Sequence, residues 1–184
     1  MFHLSSDDPR EGTSVVIDAF AQLVANSTDP VRLIVAGELG SRRQPVVELI
    51  ASRGLGGLVD TTGPVTDEHL VELYSGAAAT VVASTDEGFG LQTLEALACG
   101  SLLVAAPAAA TREVAAGADV EWTPVESGPM AAAFEAVVHD HARRLRASKV
   151  NREAARRFSW EATARCLDRL LGEMAEPGQW CAPA

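Results

Sequence analysis

Apolar residues recur along this chain in two alternating rhythms. Short, nearly unbroken apolar runs occur at "FHLS", "VRLIVAG", "LVDTTG", "ATVVAS", "SLLVAAP" and "DVEWTP". Strands of a parallel sheet covered on both faces read this way. Between them lie longer segments with helical spacing. "GTSVVIDAFAQLVAN" lines up Val15, Val16, Ala19, Phe20, Leu23 and Val24. "QPVVELIASRG" predicts a helix with Pro45 in its first turn and Gly54 closing it. "TDEHLVELYSG" predicts a helix capped at Thr66 and ended at Gly76. A further helix is expected from Gly90 or Leu91, with Leu91, Leu94, Leu97 and Ala98 as its apolar side, and a short one at "ATREVAAG". "GPMAAAFEAVVHDHARRLRASKV" and "FSWEATARCLDRLLGEMAE" each predict one continuous C-terminal helix.

Strand and helix alternate six times, which predicts β-α-β units and an α/β, doubly wound, mostly parallel sheet with helices on both faces. No linker or low-complexity segment divides the chain, so residues 1–176 are expected to form one domain and 177–184, within "PGQWCAPA", a loose tail. With 184 residues, 47% hydrophobic and 5% aromatic, the core is aliphatic. The net charge of −10, without a Lys/Arg block, argues against nucleic acid as a partner. A small phosphate ligand needs no such block, since backbone amides and one or two basic residues hold it. Cys99, Cys166 and Cys181 are odd in number and lack metal-ligand spacing, which suggests a reducing compartment. His139 and His141, two apart on a predicted helix, point away from each other, so no metal site is expected. The opening "MFHLSSDDPREG" lacks the pattern of a signal peptide, and no apolar run approaches the ~20 residues of a membrane span. A soluble, cytoplasmic protein is expected.

Ligands of open α/β sheets bind at the carboxyl ends of the strands. The loops there are "SSDDPREGT", "GELGSRRQ", "TTGPVTDE", "STDEGFGLQ" and "APAAATRE". The fourth carries the densest chemistry. Gly88 and Gly90 permit a tight strand-to-helix turn whose free amides favour an anion. Glu87 and Glu95 would repel an anion but suit hydroxyl groups on either side of it. A phosphate flanked by hydroxyl-bearing rings, as in a nucleotide sugar, fits all three features. Asp86 reads as a turn residue that caps the helix.

"EGFGLQTLEALACG" closely resembles the E-x7-E signature of the retaining GT-B glycosyltransferases of the glycosyl transferases group 1 family. The order of "GTSVVIDAFAQL", "RLIVAG", "VDTTGPVTDEHLVELYSGAAATVVAST", "GSLLVAAPAAATREV" and "FSWEATA" agrees over roughly residues 10 to 172. The resemblance implies the Rossmann-like, donor-binding half of a GT-B fold. It implies that Glu87 contacts the transferred sugar, that the amides of Gly88, Phe89, Gly90 and Leu91 hold sugar and diphosphate, and that Glu95 accepts from the ribose. It sets Gly63, Pro64 and Val65 against the base and lets Gly37 approach the phosphates. A UDP-, GDP- or ADP-sugar donor, transfer with retention and no metal or other cofactor are implied as well. An acceptor-binding N-terminal domain is implied and absent from this chain, so the chain alone is expected to bind donor without transferring it. Any peripheral membrane association would run through that domain.

Where the family carries an arginine and, five positions later, a lysine, this chain has Ser6 and Glu11. Arg10 stands beside that position, and Arg42 and Arg43 in the next loop are further candidates to neutralise a leaving diphosphate. The last helix reaches the N-terminal domain in the family, so "WEATARCLDRLL" is expected to expose apolar surface here. Two other readings follow from the same residues: half of a nucleotide-sugar 2-epimerase, or a non-catalytic nucleotide-sugar-binding scaffold.

Overall fold

The computed structural model describes residues 1–27 and 30–175. The expected tail, residues 177–184, lies outside them. Six strands form one sheet: β1 (Phe2–Leu4), β2 (Leu33–Ala36), β3 (Val59–Gly63), β4 (Thr80–Val82), β5 (Leu103–Ala105) and β6 (Val120–Trp122). All pairings are parallel, in the order β3-β2-β1-β4-β5-β6. The chain winds outward from β1 in one direction, then crosses back and winds in the other. A crevice therefore opens between the carboxyl ends of β1 and β4, where the strand order reverses.

The period of two in the strands sorts the core into two layers. Leu33, Val35, Val81, Leu102 and Val104 join one cluster, with Val16, Ile17, Phe20 and Leu23 of α1 (Thr13–Asn26), Val46 and Ile50 of α2 (Arg43–Ser52), and Met130, Phe134 and Val137 of α6 (Ser127–Val138). Phe2, Ala36, Val82, Leu103 and Ala105 join the other, with Tyr74 of α3 (Asp67–Gly76), Ala96 and Leu97 of α4 (Leu91–Ala98), and Val114 of α5 (Ala109–Val114). The doubly wound, Rossmann-like α/β expectation is borne out, with every pairing parallel.

Two local expectations need correction. The segment read as one helix from Gly128 to Val150 is two, α6 and α7 (His141–Ala155). Asp140 ends the first by starting the second: its Oδ1 accepts the Arg143 amide at 2.7 Å, an N-cap that outweighs the continuous apolar period. The buried face of α4 is Thr93, Ala96 and Leu97, whereas Leu91 is 57% exposed and Ala98 exposed. Small side chains let this helix lie close to the sheet and α7, and Leu91 is left in solvent. The last helix, α8 (Trp160–Ala175), leaves Trp160, Leu167, Leu170, Leu171 and Met174 exposed, as expected.

Candidate functional site

Beneath the crevice lies a buried polar chain. His3 is fully buried in β1, with Nδ1 3.0 Å from the Val81 carbonyl and Nε2 3.1 Å from Thr13 Oγ1. A carbonyl only accepts, so Nδ1 carries the proton, and Nε2 accepts from Thr13. The Ser5 hydroxyl completes the chain against Thr13 Oγ1 at 2.5 Å. Burial holds the imidazole neutral, with its pKa lowered to about 4. This network ties β1, α1 and β4 together under the crevice.

Above it, the loops after β1 and β4 lock to each other. Thr85 donates its amide to the Arg10 carbonyl at 3.0 Å. Gly12, at φ 69°, packs so closely that a Cβ there would sit 2.7 Å from the Ala83 carbonyl oxygen. On the neighbouring side, Gly37 donates to the Gly63 carbonyl at 2.9 Å, and a Cβ on Gly37 would lie 1.9 Å from the Ser5 carbonyl oxygen. Gly63 is buried, Val65 half-buried and Pro64 exposed at the end of β3. The residues expected to bind ligand thus gather along one edge, at the carboxyl ends of β1 to β4.

The turn after β4 has the expected form. Gly90, at φ 88°, is the N-cap of α4, and no side chain caps the helix. Asp86 therefore does not cap it; its carboxylate lies 3.5 Å from Arg10 Nη1 instead. The amides of Gly88, Phe89 and Gly90 have no partner among the described residues, and the first turn of α4 adds its own unbonded amides. These donors lie at the positive end of the helix dipole. Thr93 Oγ1, fully buried below the turn, also lacks a partner among the described residues. The ring of Phe89 meets Phe158, before α8, edge-on at 5.8 Å.

The charged residues are less simply arranged. Glu87 is half-buried beside the turn, and Glu95 is exposed. Glu95 Oε2 accepts from the Tyr74 hydroxyl at 3.2 Å. Burial, with Glu95 beside it, pushes the Tyr74 phenol upward and keeps it a donor. Arg10 is fixed by Asp8, whose carboxylate receives its guanidinium at 2.6 to 3.1 Å. Arg10 in turn holds the Asp8 carboxyl below its usual range. Arg42 lies close enough to Asp8 to add to that pull, and Arg43 Nη1 lies near Gly63. Neither has an ion-pair partner among the described residues. Glu11 is half-buried between Ser6 and Gln92, and burial together with Glu87 raises its pKa. Among the described residues, no three His, Cys, Asp or Glu side chains are grouped to hold a metal.

Tyr74, Gln92, Phe158 and the His3–Thr13–Ser5 chain escaped the sequence reading. Each acts through a contact distant in sequence; for Tyr74 the only local signal is an aromatic ring on a helix that faces the sheet.

A parallel sheet with a glycine turn at its switch point defines the Rossmann-like class of α/β domains. The chain belongs to the glycosyl transferases group 1 family, whose family profile matches residues 1–154. It is 36% identical over 158 residues to a D-inositol 3-phosphate glycosyltransferase of Xylanimonas cellulosilytica, covering 82% of this chain and 38% of the relative. It is 32% identical over 166 residues to the MMP alpha-(1->4)-mannosyltransferase of Mycolicibacterium hassiacum, covering 87% and 39%. The chain thus spans about two fifths of the length of these relatives. Among solved structures it is similar to sucrose-phosphate synthase of Thermosynechococcus elongatus, with TM-score 0.81 and 26% identity over 94% of this chain and 45% of that one. It is also similar to Anabaena HepE in complex with UDP-glucose, with TM-score 0.80 and 25% identity over 94% and 48%.

Proposed function

We propose that this chain is the donor-binding half of a glycosyltransferase that uses a nucleoside diphosphate sugar. The observation that carries the reading is the Gly88–Leu91 turn, with unpartnered amides at the head of α4, beside the strand crossover and between two carboxylates. Such a turn suits a diphosphate. Glu87, half-buried beside it, suits the hydroxyls of the transferred sugar, and Glu95, oriented by Tyr74, suits those of the ribose. Gly63, Pro64 and Val65 border the space for the base. That Anabaena HepE was solved with UDP-glucose agrees with this assignment.

Catalysis asks for more. Charge that develops on a departing diphosphate needs positive or hydrogen-bonding partners aimed at it. Arg42 and Arg43 have no ion pair among the described residues and are the better supply; Arg10 would first have to leave Asp8. The acceptor is assigned to a second domain, without which this chain binds donor but does not transfer it. Transfer is assigned retention of configuration and no metal, and the protein a cytoplasmic location.

Calorimetry or saturation-transfer NMR with UDP-glucose, GDP-mannose and ADP-glucose tests the reading. Saturable binding of at least one is expected. Absence of binding by all three sinks it.

A further inference from the structure

Glu11 is misplaced for a residue beside an anion. Its carboxylate lies at the first turn of α4: Gln92 Nε2, from the second residue of that helix, reaches its two oxygens at 3.4 and 3.5 Å. Ser6 Oγ donates to Oε1 from the opposite side at 3.3 Å. Both donors are neutral. The charges around it are mostly of its own sign. Glu87, from the turn after β4, repels it, and Asp8 does so from its own loop. Across α3 and α4, Tyr74 feels both Glu95 and Glu11. The one cation of its own loop, Arg10, is committed to Asp8 and Asp86. A half-buried carboxylate thus stands between Ser6 and the first turn of α4, with no cation in contact among the described residues.

We infer that a nucleoside diphosphate sugar enters this crevice together with a proton on Glu11, which makes Glu11 the residue that sets the pH range of donor binding; this rests on the donor-site reading above. A carboxyl group there keeps Ser6 and Gln92 as donors to its carbonyl oxygen and turns its own O–H toward the incoming phosphate oxygen. A carboxylate would meet that oxygen as a like charge. The site is prepared for the exchange, because burial, and after it Glu87, already raise the Glu11 pKa in the free protein. The diphosphate of a nucleotide sugar is a diester with no proton to titrate in the neutral range, so the proton is the protein's. His3 is no rival: its ring is sealed beneath the loop and titrates near 4.

Binding of UDP-glucose, GDP-mannose and ADP-glucose is measured by calorimetry between about pH 5 and pH 8, for the wild-type chain and Glu11→Gln. Uptake of one proton makes wild-type affinity fall by up to about tenfold per pH unit as pH rises above the Glu11 pKa. The amide cannot ionise, so Glu11→Gln binds with a nearly flat profile and more tightly than wild type at the upper end. The wild-type apparent enthalpy also depends on the ionisation enthalpy of the buffer, and that of Glu11→Gln does not. Binding with the same pH profile in both proteins overturns this inference and leaves the donor site standing. No binding of any of the three to either protein overturns both.

Discussion

The Tyr74 hydroxyl donates to Glu95 Oε2 across 3.2 Å, joining the end of α3 to the middle of α4. The Tyr74 ring is itself fixed, buried edge-on against Phe2 at 5.1 Å. An exposed carboxylate is thereby oriented without being buried. Tyr74→Phe keeps the ring and removes the hydroxyl. It is expected to cost about 1 kcal/mol of stability in urea denaturation. Nucleotide affinity should fall severalfold, because Glu95 is released to other rotamers. Unchanged affinity would show that Glu95 needs no such holding.

The two glutamates of the turn are assigned different partners, and the assignment is separable. Glu95→Ala should weaken binding of UDP and UDP-glucose alike, by about tenfold or more, the loss of hydrogen bonds to a charged acceptor. Glu87→Ala should weaken UDP-glucose by a similar factor and leave UDP nearly unaffected. Titrations of both ligands on both variants, with the base found to bind, decide the matter. Equal losses for both ligands in Glu87→Ala would move that residue off the sugar.

Glycines of the same edge serve two different ends. Gly37, at φ 110°, would bring a Cβ to 1.9 Å from the Ser5 carbonyl oxygen, and backbone cannot yield by that much. Gly37→Ala should destabilise the fold by about 3 kcal/mol or more. Gly88 has nothing within 4 Å of its would-be Cβ and an unstrained φ. Gly88→Ala should leave the urea midpoint unchanged and still lower donor affinity, because a methyl group then stands where the ligand meets the amides.

His3 gives the fold a defined response to acid. Its pKa is about 4 in the folded chain, against the ordinary 6.5 of a solvated imidazole in the unfolded one. The folded state binds fewer protons between these values, so stability is complete above the upper one and declines as pH falls toward the lower. The full effect is about 3 kcal/mol. His3→Gln removes the titration and should narrow its stability gap to wild type between about pH 7 and pH 4.5, as read from urea midpoints. A gap that stays constant would mean His3 is not held neutral in the folded chain.

The layout of strands and helices was legible because burial on both faces writes a plain apolar run, and helical spacing writes a different one. The break between α6 and α7 was not, since no glycine or proline marks it and Asp140 reveals itself only by capping Arg143. The glycine turn was legible because its chemistry is local: strand, two glycines, helix. The fate of the charges around it was not. Arg10 reads as a cation beside the crevice, yet Asp8 and Asp86, one of them 76 positions away, both claim it. The buried face of α4 was misjudged for a related reason: the closeness of helix and sheet selects Thr93 and Ala96 over larger, more apolar neighbours.

The first strand in the chain is also an inner strand of the sheet. Phe2 pairs with Ile34 on one side and with Thr80 on the other. During synthesis β1 leaves the ribosome before either neighbour exists, and its second edge stays open until β4 follows. The half-sheet β3-β2-β1 can form early, while β4 must add to an edge that has waited, across a longer loop than the one that joins β1 to β2. The larger closure cost thus falls at the seam where the crevice forms.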